Sequence, residues 1–175
     1  MRKAVFLDRD GIINRKAPEG QYITQWEDFE FLPRVAEGIQ LLNRASYYVF
    51  VASNQRCVAK GLITSRQLEA MHFRMIDQLA AAHARIDAVY YCPHDNDPPC
   101  ACRKPAPGML LQAAHDHSLD LEASWMVGDS DLDIKAGKAA GCRTVRILLP
   151  ETVAEVTSDL TANSLLEAAN RILGS

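Results

Sequence analysis

Ala4-Val5-Phe6-Leu7-Asp8-Arg9-Asp10-Gly11 is the stretch that decides the fold. Four apolar residues in succession, with no polar residue alternating between them, read as a strand buried on both faces. Strands of that kind belong to parallel sheets covered by helices on either side. The residues directly after the run are equally informative. Asp8 and Asp10 place two carboxylates two residues apart, and Gly11 permits a sharp backbone turn directly after them. In an open parallel sheet, ligands bind outside the carboxyl ends of the strands, and that is where these acids stand.

Outward from this strand the chain alternates. Val35, Ile39 and Leu42 fall at helical spacing and predict a helix over 34–45, followed by an aromatic and β-branched strand over 47–52. Leu68, Met71, Met75 and Leu79 form a second helical stripe, opened by Thr64 or Ser65 as cap. A strand over 86–91, a helix over 107–117 with proline in its first turn, and a strand over 125–127 come next. A helix over 131–140, a strand over 143–148 and an amphipathic helix through Leu165, Leu166, Ala169, Ile172 and Leu173 complete the order. The class this predicts is α/β, with a mainly parallel sheet and helices on both faces. No internal repeat and no linker interrupts it, so residues 1–175 read as a single domain.

Composition sets the outer bounds. The 175 residues suffice for one core, 48% are hydrophobic, and the net charge is −3. Neither a basic stripe nor a polybasic run is present, which argues against nucleic acid or a membrane surface as partner. No segment is apolar for long enough to span a bilayer, and the first apolar run is too short for a signal peptide. The five cysteines then belong to a reducing cytoplasm, where clustered Cys and His mean metal rather than disulfides. Cys57 and Cys142 stand apart from any base and read as ordinary buried thiols. A monomer acting on a small molecule is the expected form.

Such a cluster exists. Cys92-Pro-His94-Asp-Asn-Asp-Pro-Pro-Cys100-Ala-Cys102 is too polar and proline-rich for a strand or helix, and its C-x-H-x5-C-x-C spacing can close four ligands around one tetrahedral zinc. Four protein ligands leave no open position, so this zinc is structural. Arg103-Lys104-Pro105 comes at once after the last thiol, so a metal-stapled loop would deliver a lysine.

Several segments send chemically capable residues to the same sheet edge. Asp8 and Asp10 follow the first strand, Ser53, Asn54 and Gln55 the second, and Asp129 and Asp133 the fourth, while Lys104 lies just before a helix that begins on the same rim. This set suits phosphoryl transfer through an aspartyl intermediate. A carboxylate attacks phosphorus only if anion–anion repulsion is removed, which magnesium held by Asp8, Asp129 and the carbonyl of Asp10 would do. Asp8 is then the nucleophile and Asp10 the acid and base. Ser53 and Lys104 would bind the transferring oxygens. Asp133, in the first turn of a helix, fits an acceptor behind the metal or simply a carboxylate favoured by the helix dipole.

The ordered segments Asp8-Arg-Asp-Gly-Ile-Ile-Asn14, Ser53-Asn-Gln55, Arg103-Lys-Pro105 and Gly128-Asp129-x3-Asp133 resemble the four motifs of the haloacid dehalogenase superfamily of phosphatases, over residues 4 to about 148. Within it, the C-P-H…C-x-C-R-K-P loop resembles that of the heptose bisphosphate and histidinol-phosphate phosphatases, compact enzymes without a large cap domain. The resemblance implies a Rossmann-like fold and a phosphorylated small-molecule substrate. It carries over Cys92, His94, Cys100 and Cys102 as zinc ligands, and Asn54, Gln55 and Arg103 as substrate contacts. Lys16 to Tyr22 resembles a substrate loop of the group. Two positions depart from it. Arg56 stands where a small residue is usual, and its charge would suit a second phosphate. Ser130 follows Asp129 where a basic residue is common. The alternatives are a heptose bisphosphate, histidinol phosphate, or a non-catalytic zinc-stabilised binding module.

The remaining conspicuous residues have plain expectations. His72, His83, His115 and His117 read as solvated or locally hydrogen-bonded, Trp26 as packing beneath the first motif loop, and Arg9 as pointing away from Asp8.

Overall fold

The computed structural model describes residues 2–150 and 154–175, and a six-stranded parallel sheet forms its centre. The strands are β1 (Ala4–Leu7), β2 (Tyr48–Asn54), β3 (Ala88–Cys92), β4 (Trp125–Gly128), β5 (Arg143–Ile147) and β6 (Leu160–Ala162). The helices are α1 (Val35–Arg44), α2 (Arg56–Ala59), α3 (Ser65–Ala81), α4 (Gly108–His117), α5 (Asp131–Ala140) and α6 (Leu165–Leu173). Across the sheet the order is β3-β2-β1-β4-β5-β6, with each neighbouring pair parallel. The chain leaves β1 toward one edge and later returns to its other side at β4. The order therefore reverses at β1, and a crevice opens between the carboxyl ends of β1 and β4, the place where such sheets hold ligands.

Period-two alternation sends side chains to two cores. Val5 and Leu7 join Val49, Val51 and Val127 in a core closed by Ile39 and Leu42 of α1, Leu68 and Met75 of α3, and Ala169 and Ile172 of α6. Ala4 and Phe6 face the opposite way, where Phe50, Ala52 and Met126 meet Met109, Leu110 and Ala113 of α4 and Ala140 of α5. Both faces of β1 are thus shut off from water, as its unbroken apolar run requires. Burying one such aliphatic side chain contributes roughly 1.5–3 kcal/mol relative to exposure.

Local signals fix the helix starts. Thr64 caps α3, its side chain accepting from the N–H of Gln67 while Gln67 reaches back to the N–H of Thr64. Ser130 and Asp133 do the same for α5.

The structure corrects the boundaries in places. β2 runs on through Ser53 and Asn54, and β3 through Cys92, because both pair in register with each other to their last residues, Ser53 with Tyr91 and Asn54 with Cys92. Three elements were not anticipated: a 3-10 turn over Trp26–Asp28, α2, a single turn, and β6, three residues paired along the edge of β5. None is long enough to display a period. Among the described residues, no helix is long and apolar enough to cross a membrane.

Candidate active site

The acids after β1 and β4 meet across the crevice. Asp8, Asp129 and Asp133 each present an oxygen within 4.8 Å of the others. Lys104 reaches into them from the start of the α4 segment. Its ammonium donates to Asp8 Oδ1 at 2.8 Å, to Asp133 Oδ1 at 2.5 Å and to the carbonyl of Ala52 at 2.7 Å. Lys104 is held to 3% exposure, and although burial works against its charge, Asp133 and Asp8 raise its pKa above that of an ordinary lysine. Its backbone is fixed as firmly: Asn54 donates to the carbonyl of Lys104 and accepts from its N–H, both at 3.0 Å.

Burial pushes the Asp8 carboxyl up to about 7; Lys104 opposes this, and Asp133, Asp129 and Asp10 add to it. A carboxylate so placed gains from an additional cation, and one oxygen nearby is made for it. Asp129 Oδ1 is buried with no hydrogen-bond partner, while Oδ2 accepts from Lys16. An orphaned anionic oxygen among carboxylates is a hard-oxygen donor set that fits magnesium. Two glycines allow the approach. Gly11 has φ +96°, and a Cβ on it would lie 2.7 Å from Asp129 Oδ2; a Cβ on Gly128 would lie 2.2 Å from the Cβ of Asp133.

Asp10 sits beside this group in a different setting. Its Oδ1 accepts from Asn14 at 2.8 Å and Arg9 at 3.1 Å, and its Oδ2 from Gln55 at 3.0 Å. Burial would raise its pKa, but the Arg9 charge and these donors hold it below the usual carboxylate range. Gln55 also donates to Ser53 Oγ at 2.8 Å. The structure therefore brings Asp8, Asp10, Ser53, Lys104, Asp129 and Asp133 together. It gives Asn54 and Gln55, expected as substrate contacts, internal partners instead. Gln55 is 3% exposed and orients Asp10, while Asn54 clamps Lys104.

Two residues near Asp10 escaped the sequence reading. Arg9 does turn away from Asp8, but its guanidinium is 1% exposed and donates to Asp10 and to His72 Nε2, the latter at 3.2 Å. His72, read from its helical setting as solvated or locally hydrogen-bonded, is hydrogen-bonded to Arg9 and only 4% exposed, with its pKa driven down to about 3 by burial and by Arg9. The helical stripe of α3 marks the buried face, and Met71 and Met75 beside His72 were the available signal. Trp26 packs as expected, stacked on Phe29 with ring centroids 4.8 Å apart.

The thiol cluster also assembles. Cys92 Sγ lies 3.0 Å from Cys102 Sγ and 3.5 Å from both Cys100 Sγ and His94 Nδ1, and His94 Nδ1 lies 3.3 Å from Cys102 Sγ. A zinc bound at about 2.1–2.3 Å by four such donors has them about 3.4–3.8 Å apart at the tetrahedron edges, so the set fits zinc with little adjustment. Despite burial, the N–H of Arg103 and the neighbouring donors bring Cys100 down to about 6, a ligand ready as thiolate. Cys57 and Cys142 are buried singly, as their isolation implied. At the loop's flank, Arg56 Nε donates to Asp95 Oδ1 at 2.5 Å, and Arg103 donates to Asn96 Oδ1 at 2.8 Å and to the carbonyl of His94 at 3.1 Å.

Comparison with known proteins agrees with this geometry. A HAD-hydrolase-like family model matches residues 101–168. A D-glycero-beta-D-manno-heptose-1,7-bisphosphate 7-phosphatase of Rhodopseudomonas palustris is 41% identical, with 80% of each chain covered. One of Pseudomonas aeruginosa is 36% identical over 94% of this chain and 92% of its own. The crystal structure of a D,D-heptose 1,7-bisphosphate phosphatase from B. bronchiseptica, complexed with magnesium and phosphate, superposes with a TM-score of 0.86 at 32% identity, covering 98% of both chains.

Proposed function

The chain belongs to the haloacid dehalogenase-like phosphatases, in the group of heptose bisphosphate 7-phosphatases, and from that premise we propose that it removes the C7 phosphate of D-glycero-D-manno-heptose 1,7-bisphosphate. The observation that carries the reading is the convergence on Asp8: a lysine ammonium at 2.8 Å and, within 4.8 Å, an oxygen of Asp129, whose Oδ1 is buried without a partner. That is a nucleophile beside a fixed positive charge and a metal ligand.

Asp8, Asp129 and the carbonyl of Asp10 would hold magnesium, which when bound would neutralise charge on the approaching phosphate. Asp8 attacks phosphorus in line with the leaving sugar oxygen and becomes an aspartyl-phosphate. Lys104 and the Ser53 hydroxyl stabilise the equatorial oxygens, where charge gathers. The approaching phosphate anion raises the proton affinity of Asp10, which gives its proton to the leaving oxygen and then, as the carboxylate its three donors favour, regains one from the water that opens the acyl-phosphate. Asp133 holds Lys104 in line from behind, itself fixed by the hydroxyl and N–H of Ser130. The zinc set of Cys92, His94, Cys100 and Cys102 shapes the loop that carries Arg103 and Lys104. This reading takes the protein as a monomer acting in the cytoplasm, where the cysteines, none of them in a disulfide among the described residues, stay reduced.

The deciding experiment measures phosphate release with magnesium from heptose 1,7-bisphosphate and histidinol phosphate side by side. Preference for the bisphosphate is expected. Preference for histidinol phosphate would reassign the substrate and keep the mechanism, whereas silence on both would return the protein to the binding-module reading.

A further inference from the structure

The zinc donors account for the two ends of the loop but not for its middle. There, two consecutive residues reach outside the metal cluster and take hold of arginines from separate segments. Asp95 Oδ1 accepts from Nε of Arg56, and Asn96 Oδ1 accepts from Nε of Arg103. Arg103 also gives Nη1 to the carbonyl of His94, and Tyr22 interacts with Arg56; a guanidinium has five N–H donors, so each arginine keeps terminal N–H groups that suit phosphate. The two arginines also occupy matching positions. Arg56 directly follows Gln55, whose amide is 3.0 Å from Asp10, and Arg103 directly precedes Lys104, whose ammonium is 2.8 Å from Asp8. Adjacent Cα atoms are only about 3.8 Å apart, so the backbone of each arginine starts directly beside the reaction centre, and a long side chain from there can reach a group on the bound substrate.

Their environment leaves them available. The side chains of Arg56 and Asp95 are 35% and 34% exposed. An ion pair that open to water adds little to stability, so what Asp95 does is fix a direction. Lys60 also acts electrostatically on Asp95, so this lip carries more positive charge than its carboxylate cancels.

We propose that Asp95 is a positioning residue that aims Arg56 at the phosphate the enzyme does not hydrolyse, with Arg103 beside it. The zinc loop is then part of substrate selection, because His94, a zinc donor, immediately precedes Asp95. This rests on the bisphosphate reading given above. It makes Arg56 a determinant of bisphosphate over monophosphate.

The test compares kcat and KM for heptose 1,7-bisphosphate and heptose 7-phosphate in the wild type and in Arg56→Gln, Asp95→Asn and Asp95→Glu, with zinc content measured in each. Loss of a charge-assisted phosphate contact is worth about tenfold or more. Arg56→Gln is expected to cut the kcat/KM preference for the bisphosphate by about that factor. Asp95→Asn should cut it severalfold, chiefly through KM, and Asp95→Glu should restore most of it, all with zinc retained. Equal losses on both substrates would overturn the proposal, as would a lower KM for the bisphosphate in Asp95→Asn, which would make Asp95 a competitor of the phosphate. A wild type active on the bisphosphate, with undiminished preference in the variants, defeats this inference alone. A wild type inactive on the bisphosphate defeats the function and the inference together.

Discussion

The floor of the site and its mouth are built by opposite rules. On the floor, Lys104 has three partners and 3% exposure, Asp10 accepts three hydrogen bonds, and Asp133 is tied to both Lys104 and Ser130. At the mouth, Arg56 and Asp95 share one ion pair with a third of each side chain in water. The difference separates two tasks. Chemistry on a phosphoryl group needs charges that do not rearrange as the reaction proceeds. Recognition needs groups that are held in direction yet keep donors and water-facing surface free for a ligand.

The sharpest way to break the contrast is to disable the floor without disturbing the fold. Asp8→Asn is expected to lower phosphate release by at least about a thousandfold. Its thermal stability should match or exceed that of the wild type, since burial already pushes the Asp8 carboxyl up to about 7 and an amide carries no charge to bury. Turnover comparable to the wild type would rule out the covalent step. The mouth should respond the other way. Verified removal of zinc by a strong chelator should cost about 2 kcal/mol or more, a fall of about 5 °C or more in Tm, because binding is coupled to ordering of the loop. It should raise KM by a larger factor than it lowers kcat, and an unchanged Tm would refute the structural role of the metal.

The smallest effect probes what lies behind the floor. His72 has its pKa lowered to about 3 in the fold, against 6.5 for a free imidazole. Between those values the unfolded chain binds a proton that the folded one excludes, so stability present above 6.5 is lost as pH falls toward 3. The expected slope is about 1 kcal/mol per pH unit just below 6.5. His72→Gln, which keeps an acceptor for Arg9, should flatten it; an identical urea-midpoint profile from pH 6.5 to 5 in both proteins would show that His72 is not the buried group responsible.

Legibility in the chain divides along the same line. β1 and its acids were legible because a strand closed on both faces writes itself as an apolar run; Asp133 was legible as a carboxylate in the first turn of a helix, but its capping box with Ser130 was not read. The zinc spacing was legible because all four donors fall within eleven residues. Contacts between distant segments left no local mark. Lys16 reaches Asp129 across 113 residues, and Arg9 meets His72 across 63. Gln55 reads as a substrate contact, yet in the fold its amide nitrogen donates to Ser53 and Asp10 and its oxygen accepts from Cys57. β6 owes its existence to pairing with β5 and carries no periodicity of its own.

The placement of β1 between β2 and β4 also sets a timetable. Asp8, the nucleophile proposed above, is made before the residues that surround it, and β2 can pair with its strand after some fifty residues. The other edge of β1 stays open until residues 125–128 have been made, and Asp129, proposed as a metal ligand, comes directly behind them. A growing chain thus carries Asp8 without its partners and an unpaired strand edge for most of its synthesis. The proposed site is completed at the same step that closes this edge, open until then to aggregation.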